Sequence, residues 1–98
     1  MVGFITAGDT RLYGFSFDKE IYALYIDPDY QGQGIGRAMM EKMMGIMREN
    51  GEQRIGVGCL KANPSTRFYE KMGGRFLEEV MWTYEKGKLP EQVFLFEI

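Results

Sequence analysis

The residues best suited to chemistry gather in one loop. Gln31-Gly32-Gln33-Gly34-Ile35-Gly36 lies between a run of β-branched and aromatic residues, Glu20-Ile21-Tyr22-Ala23-Leu24-Tyr25-Ile26, and a stretch with helical periodicity. Its glycines let backbone amides turn toward the helix axis without obstruction from a Cβ. The first N–H groups of a helix have no partner within it and carry the positive end of its dipole, so such a loop suits an anion, and a pyrophosphate in particular. Arg37 adds a positive charge beside it. The plainer alternative is a glycine turn that merely starts a helix.

Two common phosphate loops do not fit. A Walker-type loop ends in Gly-Lys-Ser or Gly-Lys-Thr, whereas this one runs Gly36-Arg37-Ala38. A dinucleotide loop needs G-x-G-x-x-G and an acidic residue closing the next strand; the spacing here is G-x-G-x-G, and the next strand runs into Leu60-Lys61. The chain has no histidine, which excludes His-based metal sites, Ser-His-Asp triads and Cys-His dyads. Acid-base work falls to Glu, Asp, Tyr, Lys, Cys or water, and no metal site is expected.

Composition bounds the rest. The 98 residues are 45% apolar and 27% charged, which reads as one soluble globular domain spanning 1-98. No run approaches the roughly 20 apolar residues of a membrane span, so no membrane partner is expected. Twelve basic against fourteen acidic side chains give a net charge of −2, which argues against a nucleic-acid partner. Cys59 is the one cysteine and there is no recognisable leader, so a cytoplasmic setting is expected.

The elements that must hold the loop follow from pattern. Val2–Gly8 and Arg11–Phe17 read as a hairpin about Gly8-Asp9-Thr10, and Glu20–Ile26 as a strand covered on both faces and stopped by Asp27-Pro28. Met39, Met40, Met43, Met44 and Met47 fall at helical spacing, with a stop near Asn50-Gly51 and a weak point at Gly45. Arg54–Leu60 reads as a strand with Gly56 and Gly58 as soft points. Asn63-Pro64 reads as an N-cap and first turn, and Phe68 with Met72 as an i, i+4 pair in a helix ended by Gly73-Gly74. Arg75–Tyr84 and Glu91–Ile98 read as two last strands joined across Lys86–Pro90. The sum is a mixed α/β fold, β-β-β-α-β-α-β-β.

Two motifs in this frame resemble the GCN5-related N-acetyltransferase (GNAT) family. Leu24 through Arg37 looks like its acetyl-coenzyme A motif, with Gln31 opening the Q/R-x-x-G-x-G/A signature, and Asn63 through Gly73 looks like its second motif, with the Phe68-Tyr69 pair in the helix. The resemblance implies a GNAT-like acyl-CoA N-acyltransferase fold, truncated at its N-terminus by a strand and two helices. It implies acetyl-CoA as co-substrate and a small-molecule or peptide amine as acceptor. Leu24, Tyr25 and Ile26 would offer backbone bonds to the pantetheine arm, and Gln31, Gly32, Gln33, Gly34, Ile35, Gly36 and Arg37 would hold the pyrophosphate. Asn63 would bond the arm, Tyr69 would protonate the leaving thiolate, and Glu20 would be the general base. A Phe is usual directly after Gly73; Gly74 stands there instead.

Each of these residues has a plainer role beside the functional one. Glu20 suits an exposed strand start, Tyr69 a core position, Asn63 an N-cap and Cys59 a small buried hydrophobe. The methionines suit core filling, and Tyr22, Tyr25, Trp82 and Tyr84 suit either core packing or an acceptor cleft. The expected activity is acetyl transfer from acetyl-CoA to a primary amine. The alternative is an acetyl-CoA-binding module, inactive or regulatory, without an acceptor site of its own. A homodimer is expected, because an apolar face left bare by the shortened front end needs cover.

Overall fold

A computed structural model describes residues 2–12, 14–63 and 65–98. Its elements are β1 (Gly3–Gly8), β2 (Lys19–Ile26), a 3-10 turn (Pro28–Tyr30), α1 (Ile35–Glu49), β3 (Arg54–Leu60), α2 (Ser65–Lys71), β4 (Arg75–Tyr84) and β5 (Gly87–Glu97). The strands form one sheet in the order β1-β2-β3-β5-β4, with β2 and β3 parallel and every other pair antiparallel. The mixed α/β class is as expected, with one strand fewer.

Among its described residues, the run from Arg11 to Phe17 forms no strand, and the antiparallel partner of β1 is β2. Tyr13 lies outside the described residues, as does Pro64, the expected first-turn proline of α2. The aromatic content of this run reflects burial without strand pairing. Leu12 and Phe17 are buried with Val93 and Leu95 of β5, and Phe15 stacks on Phe17 at 5.2 Å, so the segment lies across one face of the sheet. Gly56 is what makes the seat: a Cβ there would collide with the Phe17 ring. Asp18 pins the segment's end by accepting the N–H groups of Gln53 and Arg54 at 2.8 and 2.9 Å.

The other face carries both helices. Met40, Met44 and Met47 of α1 and Tyr69 of α2 pack with Ile21, Ile55, Val57, Cys59, Phe94 and Phe96 of the sheet. The methionines thus serve as core filling, as their spacing allowed. The helix ends where Asn50 and Gly51 predicted, with the Asn50 N–H donating to Ile46 and Gly51 in a left-handed turn at φ 84°. Gly45 faces open space, so close packing does not require it.

The sheet's ends differ from expectation in one place. β5 begins at Gly87, four residues before the expected Glu91, and includes Pro90. The Pro90 carbonyl accepts the N–H of Lys61, and the main β3–β5 pairing begins just beyond it, so the absent proline N–H costs no further ladder bond.

A bulge in β2 opens the sheet. Thr6 pairs with Ala23 and Ala7 with Ile21, which leaves Tyr22 without an opposite residue on β1. Pairing between β2 and β3 stops at the same level, with Ile21 opposite Val57. Beyond it, β3 continues on β5 to Leu60 while β2 continues on β1 to Ile26, so the two parallel strands part. Ile21 and Leu24 both pack toward the helices although three positions apart, as an inserted residue requires.

Candidate active site

The parting strands, the glycine loop and the start of α2 enclose a cleft of about 740 Å³. Leu24, Tyr25 and Ile26 form one wall, Gln31, Gly32, Gly34, Ile35, Gly36 and Arg37 the second, and Asn63 the third. Of the residues expected to bind the cofactor, Gln33 alone does not line it. Tyr30, Ser65 and Phe68 line it as well and were missed; the Phe68-Tyr69 pair was noted, but only Tyr69 was assigned to the site.

The loop is built to present amides. Gly32 and Gly34 hold φ of 80° and 78°, and nothing lies within 4 Å of a Cβ placed on either, so backbone conformation and not crowding demands glycine at both. Gly34 caps α1 without a side-chain bond, leaving first-turn N–H groups directed at the cleft end of the helix. Gln31 ties the loop to the strand by donating from Nε2 to the Ile26 carbonyl at 3.0 Å. Gly36 is different: a Cβ there would meet the Phe68 ring at 3.5 Å, an ordinary contact. Arg37 pairs with Glu41 one turn on, at 3.1 Å on the exposed face of α1.

An inner chamber of about 230 Å³ continues from this cleft through the gap between β2 and β3. Leu24, Asn63 and Ser65 border both spaces; Tyr22, Cys59, Tyr69 and Glu91 line only the inner one. Asn63 does act as a cap, its Oδ1 accepting the Ser65 N–H at 2.9 Å, while its side still borders the cleft. Tyr69 is held edge-on by Phe68 and Phe96. Burial, then the neighbouring Cys59, pushes its phenol up to about 12, so it keeps its proton at neutral pH. Burial and then Glu91 push the Cys59 thiol up to about 11, which makes it a protonated, unreactive core residue.

Glu20 is placed differently from the rest. It is 4% exposed, its Oε1 accepts the Arg11 N–H at 2.6 Å, its Oε2 faces the Arg11 guanidinium at 3.6 Å, and it lines neither space. Of the strand aromatics, Tyr25 lines the cleft and Tyr22 the inner chamber, whereas Trp82 and Tyr84 stand on β4, away from both. Gly74, where the resemblance calls for Phe, leaves room for another ring: a Cβ there would come 2.8 Å from the ring of Phe96.

Comparisons with known proteins bear on the family and the fold. The model of the acetyltransferase (GNAT) family matches residues 1–74. An uncharacterised N-acetyltransferase, YuaI, of Bacillus subtilis (strain 168) is 34% identical over 68 residues, which cover 69% of this chain and 39% of that protein. The mycothiol acetyltransferase of Thermomonospora curvata is 31% identical over 88 residues, covering 81% of this chain and 30% of its own length. The crystal structure of NAA60 from Arabidopsis thaliana in complex with acetyl-CoA superposes with a TM-score of 0.79 at 17% identity, covering 100% of this chain and 66% of that one. The chain therefore spans well under half the length of these two sequence relatives.

Proposed function

The chain belongs to the acetyltransferase (GNAT) family, and we propose that it transfers an acetyl group from acetyl-CoA to a primary amine. The observation that carries this is the continuity of two spaces, an amide-lined cleft suited to a pyrophosphate and an inner chamber holding a protonated tyrosine. Acetyl-CoA fits the first: its pyrophosphate needs the open, unobstructed amides of Gly32 through Arg37, and its pantetheine arm needs backbone partners that β2 no longer shares with β3. When bound there, it supplies an activated acyl group.

The chain's own residues do the rest. Backbone groups of Leu24 to Ile26 and the side chain of Asn63 orient the arm along the gap. A backbone N–H in that stretch polarises the carbonyl as negative charge develops on its oxygen. Tyr69 delivers its proton to sulfur as the carbon–sulfur bond breaks. The acceptor is an amine, a small molecule or a peptide end, that reaches the inner chamber from the face opposite the helices.

Two further features belong with this proposal. A second copy covers the β1 edge, where Phe4 and Tyr25 stack at 5.5 Å with both rings exposed. The setting is the cytoplasm, where acetyl-CoA is available and Cys59 stays reduced. Among the described residues no helix is long and apolar enough to cross a membrane.

Isothermal titration with acetyl-CoA tests the proposal. Saturable binding with one site per chain, and thiol release on adding amines, is the expected result. Absence of binding refutes it. Binding without turnover of any amine leaves the acetyl-CoA-binding module as the better description.

A further inference from the structure

The inner chamber contains a carboxylate that no motif announces. Glu91 stands opposite Leu60 in the β3–β5 register, and its side chain reaches along β3 to Gly58, where a Cβ would collide with Glu91 Oε1. The glycine is therefore a seat, and the carboxylate lies across the β3 backbone toward the gap beside β2. There it lines the same chamber as Tyr69, Tyr22 and Cys59.

The geometry points to Glu91 as the group that takes the proton from the acceptor amine, with Glu20 as a positioning residue behind it. The inference rests on the acetyl-transfer function proposed above and names the base of that site. Three observations support it. Glu91 borders the chamber and is half-buried, whereas Glu20 is closed off and committed to Arg11. Burial, and then the charge of Glu20, raise the Glu91 carboxyl above its ordinary range, with Arg11 opposing. A carboxylate so raised is a better base at neutral pH. The remaining groups around it carry no competing charge: Cys59 and Tyr69 are neutral, Tyr22 bonds the Asp9 carbonyl, and the residue opposite on β4 is Val80.

The step balances as follows. Glu91 takes one proton from the acceptor ammonium and frees the nitrogen lone pair. The nitrogen–carbon bond forms and the carbon–sulfur bond breaks, Tyr69 gives its proton to sulfur, and the second nitrogen proton returns to the tyrosinate. Glu91 then releases its proton to solvent. The acceptor enters as a cation, into a chamber whose lining carries the Glu91 carboxylate and, among the described residues, no basic side chain.

The test uses the intact chain, acetyl-CoA, and three amines as probes: phenethylamine, spermidine and a short peptide with a free N-terminus. E91Q should bind acetyl-CoA within about twofold of the parent and lose about 100-fold or more in kcat/KM together with the acidic limb of the pH profile. G58A keeps the carboxylate but fills its seat; it should fold, since its Cβ meets the mobile end of a side chain, and should show a smaller loss with the limb displaced. E20Q should shift the limb to lower pH, because the charge that raises Glu91 is gone. Carboxyl NMR titration of Glu91 should place it above an ordinary glutamate in the parent and lower in E20Q. An E91Q enzyme with the parent's pH profile overturns the role of Glu91 while acetyl transfer stands. Failure of the parent to bind acetyl-CoA, or to acetylate any of the three amines, overturns both.

Discussion

Two glycines of the same loop should respond very unequally to the same methyl group. Gly34 sits at φ 78° with open space around its would-be Cβ, so Gly34→Ala adds no clash and only backbone strain. For an L-residue in the left-handed region that strain is about 1–2 kcal/mol. If the free loop relaxes and acetyl-CoA binding must restore the conformation, the dissociation constant rises by roughly 5–30-fold. Gly34→Asn should fall between Ala and Gly, because Asn tolerates the left-handed region better than other side chains. Gly36→Ala should change binding by less than about threefold, since its Cβ makes only an ordinary contact with Phe68 and Ala favours the helix. Isothermal titration of the three variants at one ionic strength measures the order. A Gly34→Ala variant that binds like the parent, or a Gly36→Ala variant that binds worse than Gly34→Ala, would refute the claim that backbone conformation fixes this loop.

Three further outcomes concern stability. Gly56→Ala should cost ~1–3 kcal/mol, or roughly 5–20 °C in melting temperature, by displacing Phe17, and the cost should largely vanish in a Phe17→Ala background; additive losses in this cycle would count against the seat. Gly45→Ala, at an open helical position, should raise the melting temperature by roughly 4–8 °C, read by circular dichroism. Asp18 is held below the usual carboxylate range by the Gln53 and Arg54 N–H groups, so its stabilisation is present above the unfolded-state value and lost as pH falls through the lower folded-state value. Thermal melts of Asp18→Ala should therefore differ from the parent at neutral pH and converge with it in strong acid.

What was legible in the chain was what local rules decide. The bounds of α1 follow from methionine spacing and an Asn-Gly stop, and β4 from Phe76, Val80, Trp82, Thr83 and Tyr84, although Glu78 and Glu79 interrupt them. The segment from Arg11 to Phe17 misleads because aromatic content reports burial, and here burial comes from lying over the sheet. The start of β5 was placed late because Pro90 is a turn signal in sequence, whereas in space it sits at the edge of the β3 pairing. Most of the cleft wall was identified through the motif, but its parting strands depend on a bulge that leaves no mark in composition. Glu91 was missed because its place depends on β5 lying beside β3, a pairing between distant parts of the chain. The signal that would have found it was Gly56 with Gly58, two glycines on one strand face, which mark close approach by other groups more than weakness.

Those two glycines and the bulge act together. Gly56 admits Phe17 and so brings the preceding segment, with Arg11, across the face opposite the helices; Arg11 in turn holds Glu20 and lies over the Tyr22 ring at 3.9 Å. Gly58 admits Glu91 on that same face, at the level where the bulge ends the β2–β3 pairing. Without the inserted residue, Ala23 and Tyr25 would follow Ile21 onto the helix face, Leu24 would turn away from it, and β2 would have no reason to leave β3. The gap would then close, and Tyr69 on the helix side would lose its route to Glu91 on the other. The bulge thus connects the proposed proton donor and the proposed proton acceptor, which the sheet would otherwise keep apart.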